Sequence, residues 1–209
     1  MDKVKVTVIG AGTMGAGIAQ RAAQSGFAVA MLDVKDEFVQ KGFATIEKTL
    51  TKGIELGKVT EEQKEQIIKS IQGTTDMEEA VKDTSLVIEA IFEDMQVKGE
   101  LFGKMDGLCG EEVIFASNTS SLSITELGKA TKRGDRFAGL HFFYPAAINR
   151  LVEVIAGENT SRETVEWLLN FSLSMGKTPI RVKDAPGFAV NRFFVPWLNE
   201  ACRMLKEGT

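Results

Sequence analysis

Short runs in which apolar residues dominate are separated by longer stretches in which they recur every three or four positions. The runs Val4–Ile9, Phe27–Asp33, Ser85–Glu89, Val113–Ser117, Arg136–His141, Leu151–Ile155 and Pro179–Val182 are rich in Val, Ile, Leu and Phe. Their length and content predict strands, and the helical patterns between several of them give a βαβ alternation. The expected fold class is therefore α/β: a doubly wound, Rossmann-like, mainly parallel sheet.

Residues 36–70 depart from a simple crossover. Phe43, Ile46, Leu50 and Ile54 repeat at helical spacing, and Thr60-Glu-Glu-Gln63 then supplies a capping box for a second helix. This predicts a helical excursion. Beyond Val182 the texture changes: Asp184-Ala-Pro-Gly187 reads as a turn, and residues 188–206 as one helix, with Pro196 as a point of kinking or early breakage. Phe193, Phe194, Trp197, Leu198, Met204 and Leu205 give that helix more apolar surface than one contact with the sheet would cover. The expected organisation is a nucleotide-binding domain over 1–184, followed at 187–209 by the first helix of a truncated helical domain. The exposed face is expected to support a homodimer through the 188–206 helix.

Composition narrows the function. A chain of 209 residues has room for one complete α/β domain and little more. A net charge of -4 offers no basic field for nucleic acid. Cys109 and Cys202 match no metal-ligand spacing, and His141 is the one histidine, so no metal site is expected. The cysteines read as reduced thiols. With a first strand beginning near residue 3 and no apolar run of the ~20 residues needed to span a bilayer, a cytoplasmic protein with no membrane partner is expected.

The first strand runs into Gly10-Ala11-Gly12-Thr13-Met14-Gly15, and Asp33 ends the second. Each glycine has its own task. Gly10 allows the tight turn, Gly12 lets backbone approach a pyrophosphate, and Gly15 lets helix and strand pack closely. The following helix, about 13–25, directs its amino-terminal amides at the phosphates. A carboxylate at Asp33 suits a ribose diol and repels a 2'-phosphate, which favours NAD over NADP; Lys35 beside it softens that discrimination.

Three polar clusters fall at carboxyl ends of strands, where ligands bind in open α/β sheets: Glu93-Asp94 with Lys98, Ser117-Asn-Thr-Ser-Ser121, and His141. Each has a plainer explanation. A histidine at a strand end is often a core residue, Glu93 and Lys98 are spaced for a local ion pair, and serine-rich segments form turns. Ser123-Ile-Thr-Glu126 is itself a capping box pattern.

Gly10-Ala-Gly-Thr-Met-Gly-Ala-Gly-Ile-Ala-Gln20, Val87-Ile-Glu-Ala90 with Val97-Lys98, Ala116-Ser-Asn-Thr-Ser-Ser-Leu122, His141-Phe-Phe with Leu151-Val-Glu-Val154, and Pro186-Gly-Phe with Asn191-Arg192 resemble the 3-hydroxyacyl-CoA dehydrogenase family. Within it they are most similar to the short-chain 3-hydroxybutyryl-CoA dehydrogenases, and the resemblance covers essentially the whole chain. It implies interconversion of (S)-3-hydroxyacyl-CoA and 3-ketoacyl-CoA with NAD. His141 would be the general acid/base, Glu153 its orienting carboxylate, and Ser120 and Asn191 hydrogen-bonding groups for the 3-oxygen. Glu93, Lys98 and Ser120 would contact the nicotinamide half of NAD. Thr49 and Lys52 would lie near CoA, although lysines on that helix also read as a solvated face.

Two departures stand out. Tyr144 follows His141-Phe-Phe where the family usually has an asparagine lining the active site, so Tyr144 enters as a cofactor- or substrate-facing position. The family's further helices, which cover the acyl-CoA cleft and form the dimer, do not follow here, so an incomplete cleft is expected. The alternatives are an NAD-binding fragment with little turnover, and a Rossmann dehydrogenase of a hydroxy acid without CoA.

Overall fold

A computed structural model describes residues 4–209. Among them, eight strands form one sheet in the order β3-β2-β1-β4-β5-β6-β7-β8. These are β1 (Lys5–Ile9), β2 (Ala28–Leu32), β3 (Ile71–Thr74), β4 (Leu86–Glu89), β5 (Ile114–Ser117), β6 (Phe137–Phe142), β7 (Leu151–Ala156) and β8 (Thr178–Lys183). Pairing is parallel throughout except at β6 and β7. The chain winds outward from β1 to β3, then returns to place β4 on the other side of β1. The crevice at the carboxyl ends of β1 and β4 is thus the switch point where a ligand is expected.

Helices cover both faces. On one side α1 (Thr13–Gln24), α2 (Asp36–Glu55), α3 (Glu61–Lys69) and α7 (Arg162–Ser174) pack Ala19, Ile46, Leu50, Leu168 and Phe171 against Val6, Val8, Leu86 and Ile88. On the other, α4 (Met77–Val81), α5 (Met95–Asp106) and α6 (Ile124–Gly128) bury Val81, Phe102, Met105 and Leu127 against Val87, Phe115 and Phe137. Successive residues of β1 and β4 enter opposite cores because side chains alternate across a strand. Burying each large apolar side chain contributes roughly 1.5–3 kcal/mol. Phe102 adds ring contacts with Phe115 and, edge-on, with Phe137 at centroid distances of 5.8 and 4.7 Å.

The excursion consists of α2 and α3, and the Thr60/Gln63 capping box forms in both directions. At α6 only half of the anticipated box forms. Ser123 caps the Glu126 amide, while the Glu126 carboxylate pairs with Lys129. The last helix, α8 (Val190–Glu207), begins two residues later than its apolar pattern suggests and runs through Pro196 without a break. Phe188 belongs to the turn before it, in the left-handed backbone region at φ 50° and almost wholly buried.

No helix among the described residues is long and apolar enough to cross a membrane. Arg133 staples the α5-to-β5 connection by bonding Asp106 and the carbonyls of Asp106, Cys109, Gly110 and Val113. Burial pushes the Cys109 thiol up to about 11, which keeps it protonated and unreactive near neutrality.

Candidate functional site

The turn from β1 into α1 is built from glycines for reasons visible in its packing. Gly10 has φ +100°, and a Cβ there would meet the Ala90 carbonyl oxygen at 2.5 Å. A Cβ on Gly15 would lie 1.7 Å from the Gly10 carbonyl oxygen, so the helix touches the turn itself. A Cβ on Gly12, by contrast, would meet nothing within 4 Å. Gly12 caps α1 without a side-chain hydrogen bond, and the Thr13, Met14 and Gly15 amides precede the first intrahelical bond, Ala16 to Gly12. Open space before unbonded amides at a helix start fits a pyrophosphate. Asp33 stabilises this cradle by accepting from the Ala11 amide at 2.7 Å and the Val34 amide at 2.7 Å.

The antiparallel seam sets His141 directly opposite Glu153. Nδ1 of His141 lies 2.7 Å from Oε2 of Glu153, with Glu153 fully buried and His141 nearly so. The other carboxylate oxygen accepts the backbone amides of Ala189 and Val190, each at 2.9 Å, at the start of α8. Burial alone would raise the Glu153 carboxyl. The bonds from His141, Val190 and Ala189 outweigh it and hold the group below the ordinary carboxylate range. The imidazole is walled by Phe143 and Phe188, at ring distances of 4.4 and 5.9 Å.

A second buried network lies at the end of β4. Glu89 accepts from Lys98, from the Ser117 hydroxyl and from the Ile91 amide. Lys98, also buried, reaches Glu93 at 3.1 Å. Glu93 in turn accepts from the Thr119 hydroxyl, the Ser120 amide and the Ser121 hydroxyl, so it latches the loop after β5. Partial burial would raise Glu93, but the Thr119 and Lys98 interactions bring it below its usual range. Asn118 accepts the Phe142 amide at 2.9 Å, and Asn191 on α8 donates to the Ser120 carbonyl at 3.3 Å. Asp184 anchors the far end of the same loop through the Ser123 hydroxyl and the Ile124 and Thr125 amides.

These groups converge on a cavity of about 410 Å³ lined by Met14, Ala90, Ile91, Glu93, Lys98, Asn118, Ser120, His141, Phe142, Phe143, Tyr144 and Asn191. A larger cavity of about 910 Å³ lies at the amino ends of β5 and β6. There Arg133 is already committed to Asp106 and to backbone carbonyls, and it is the smaller cavity that gathers the acid–base groups. It offers an imidazole oriented by a carboxylate, hydroxyl and amide groups, and a neighbouring phosphate cradle, which together suit proton transfer beside a bound dinucleotide.

Residues 5–185 match the model of the 3-hydroxyacyl-CoA dehydrogenase NAD-binding domain. The chain belongs to the 3-hydroxyacyl-CoA dehydrogenase family. It is 48% identical to the mitochondrial hydroxyacyl-coenzyme A dehydrogenase of Sus scrofa over 208 residues, covering 97% of this chain and 66% of that protein. It is 42% identical to the 3-hydroxybutyryl-CoA dehydrogenase of Clostridioides difficile, covering 98% of this chain and 73% of that one. A crystal structure of (S)-3-hydroxybutyryl-CoA dehydrogenase from Ralstonia eutropha superposes with a TM-score of 0.94 at 46% identity, over 98% of this chain and 72% of that one. The chain thus spans just under two thirds of the length of the mitochondrial relatives it matches.

Of the residues singled out in the sequence, the fold sets Glu153 behind His141 and lines one cavity with His141, Ser120, Asn191, Glu93, Lys98, Met14 and Tyr144. Tyr144 stands at its lip, 69% exposed. Thr49 and Lys52 are not brought there. Thr49 donates to the Thr45 carbonyl and Lys52 pairs with Glu55, both on α2. Glu89 carries no role in the sequence reading, whereas Asn118 enters it only within the polar cluster 117–121, Phe143 as a packing residue and Phe188 as the start of the last helix. Glu89 had one available signal, a carboxylate closing an otherwise apolar strand.

Proposed function

We propose that this protein is an NAD-dependent 3-hydroxyacyl-CoA dehydrogenase acting on (S)-3-hydroxybutyryl-CoA or a similarly short thioester. The observation that carries the proposal is the buried His141–Glu153 pair at a cavity bordered by the first turn of α1. In the oxidative direction His141 takes the proton of the substrate 3-hydroxyl on Nε2. Its Nδ1–H stays donated to Glu153, which fixes the tautomer and stabilises the imidazolium. The two amides on the other Glu153 oxygen keep that carboxylate from rotating away. In the reductive direction the imidazolium returns the proton to the 3-ketone.

Bound NAD supplies the hydride acceptor, and NADH the donor. Gly10, Ala11, Gly12, Thr13, Met14, Gly15 and Asp33 are proposed to hold the adenosine and pyrophosphate end; Glu93, Lys98, Ser120 and Tyr144 border the nicotinamide end. Ser120 and Asn191 orient the substrate 3-oxygen. The CoA tail extends past the cavity, where Thr49 and Lys52 are proposed contacts, Lys52 exchanging Glu55 for a phosphate.

Residues 1–184 are proposed as the cofactor domain, and 187–209 as the first helix of a helical domain. Phe193, Trp197 and Leu205 are 77%, 58% and 81% exposed on α8, an apolar face consistent with pairing to a second copy. A cytoplasmic location accords with two free cysteines. Light scattering at two protein concentrations and cell fractionation test these two points.

Activity is tested by following loss of NADH with acetoacetyl-CoA, using free acetoacetate as control. Oxidation that requires the CoA thioester supports the proposal. Equal rates with both point instead to a hydroxy-acid dehydrogenase, and NADH binding without oxidation to a nucleotide-binding fragment.

A further inference from the structure

Glu89 closes β4 after Leu86, Val87 and Ile88 and is fully buried. A carboxylate persists in such a place only when paired and hydrogen-bonded. Here Oε1 accepts from Lys98 at 2.5 Å and from the Ile91 amide at 2.7 Å, and Oε2 from the Ser117 hydroxyl at 2.6 Å. Lys98 is therefore held between two carboxylates, Glu89 beneath and Glu93 toward the cavity. Two carboxylates and one ammonium leave one excess negative charge. The side chains of Glu89 and Lys98 are 0% and 1% exposed, against 38% for Glu93, so the excess is presented on the cavity side. Without the charge of Glu89, Lys98 would neutralise Glu93 and the wall would carry no net charge.

We propose that Glu89 is a positioning residue that satisfies Lys98 from within and thereby sets a negative cavity wall, favouring the cationic, oxidised nicotinamide over the neutral, reduced one. The proposal rests on the cavity being the nicotinamide site. Its energetic sense is simple. Removing one net charge from a partly buried wall changes the affinity for a cation several-fold and leaves that for a neutral group nearly unchanged.

Glu89→Gln separates charge from shape. A glutamine amide keeps one oxygen for Lys98 and Ile91, and its NH2 can donate to Ser117 Oγ. Ser117→Ala is the converse control, removing a hydrogen bond but no charge. Dissociation constants for NAD and NADH are measured separately on the full chain without substrate, at low ionic strength. The expected result is a rise of about three- to tenfold in the ratio of the NAD to the NADH constant in Glu89→Gln, with the Ser117→Ala ratio within about twofold of the parent. Glu93→Gln, removing the same charge at the exposed end, is expected to move the ratio in the same direction, and it serves as the decisive variant if Glu89→Gln does not fold. Both constants changing in parallel, or neither changing, overturns the charge assignment alone. A parent chain that binds neither nucleotide contradicts the reading of the cavity itself.

Discussion

His141 and Glu153 are cross-strand partners: the antiparallel pairing of β6 with β7 sets them opposite each other, with Nδ1 and Oε2 2.7 Å apart. The pair is thus fixed by backbone hydrogen bonds on both strands rather than by flexible loops. Because Glu153 also receives the first amides of α8, the imidazole and the last helix are tied to one carboxylate.

Glu153→Gln is expected to retain the fold yet lose about 10²- to 10⁴-fold in kcat. Its amide oxygen can still take the Ala189 and Val190 amides. Its NH2, however, would face Nδ1 and force the tautomer that carries the proton on Nε2, which cannot act as base. Unaltered thermal unfolding together with near-parental kcat would contradict this.

The glycine turn separates folding from binding. Gly15→Ala places a methyl against the Gly10 carbonyl and is expected to destabilise the domain by about 1–3 kcal/mol or more. Gly12→Ala meets no atom within 4 Å and is expected to leave the urea midpoint nearly unchanged while weakening NADH binding at least tenfold. Urea titrations and NADH fluorescence check both.

Lys177 gives a signature on the alkaline side. Buried under the Ala146 and Asn149 carbonyls that it bonds, it is pushed down to about 8 by burial, aided by the Arg21 charge. Between that value and the ordinary lysine value of about 10.4 the unfolded chain binds more protons. Stability is therefore expected to rise with pH across this window, as the cost of burying the ammonium is relieved. Urea midpoints at about pH 8 and about pH 10 measure the rise, and Lys177→Met should flatten it.

On the acid side the sign reverses. Glu153, Glu93 and Asp184 are held below their ordinary values by hydrogen bonds that outweigh burial. Their contribution is complete above the unfolded carboxylate range of about 4 and is lost as pH falls through the folded values. Asp184→Asn is expected to shallow the acid unfolding curve. An unchanged curve would show that the α6 cap carries none of this linkage.

Much of this architecture is legible in the sequence because the buried strands and the glycine turn carry strong local signals. The edge strand β3 is not: Ile-Gln-Gly-Thr contains one buried apolar residue, too little for a strand pattern. Phe188 looks like the start of a helix, yet the left-handed turn at that residue directs it into the core. The antiparallel seam is also invisible locally, since strand direction depends on pairing; Glu153 was assigned through family resemblance rather than from its own alternation. Glu89 escaped because its significance lies in three partners from β5, α5 and the loop between β4 and α5, which only the fold assembles.

The most direct test of the account is His141→Gln, with NADH binding and the single-turnover reduction of acetoacetyl-CoA measured on the same preparation. The expected result is NADH affinity within about twofold of the parent and a reduction rate lower by about 10²-fold or more. A folded variant that reduces the thioester at near-parental rate would contradict the assignment of His141 as the acid/base group.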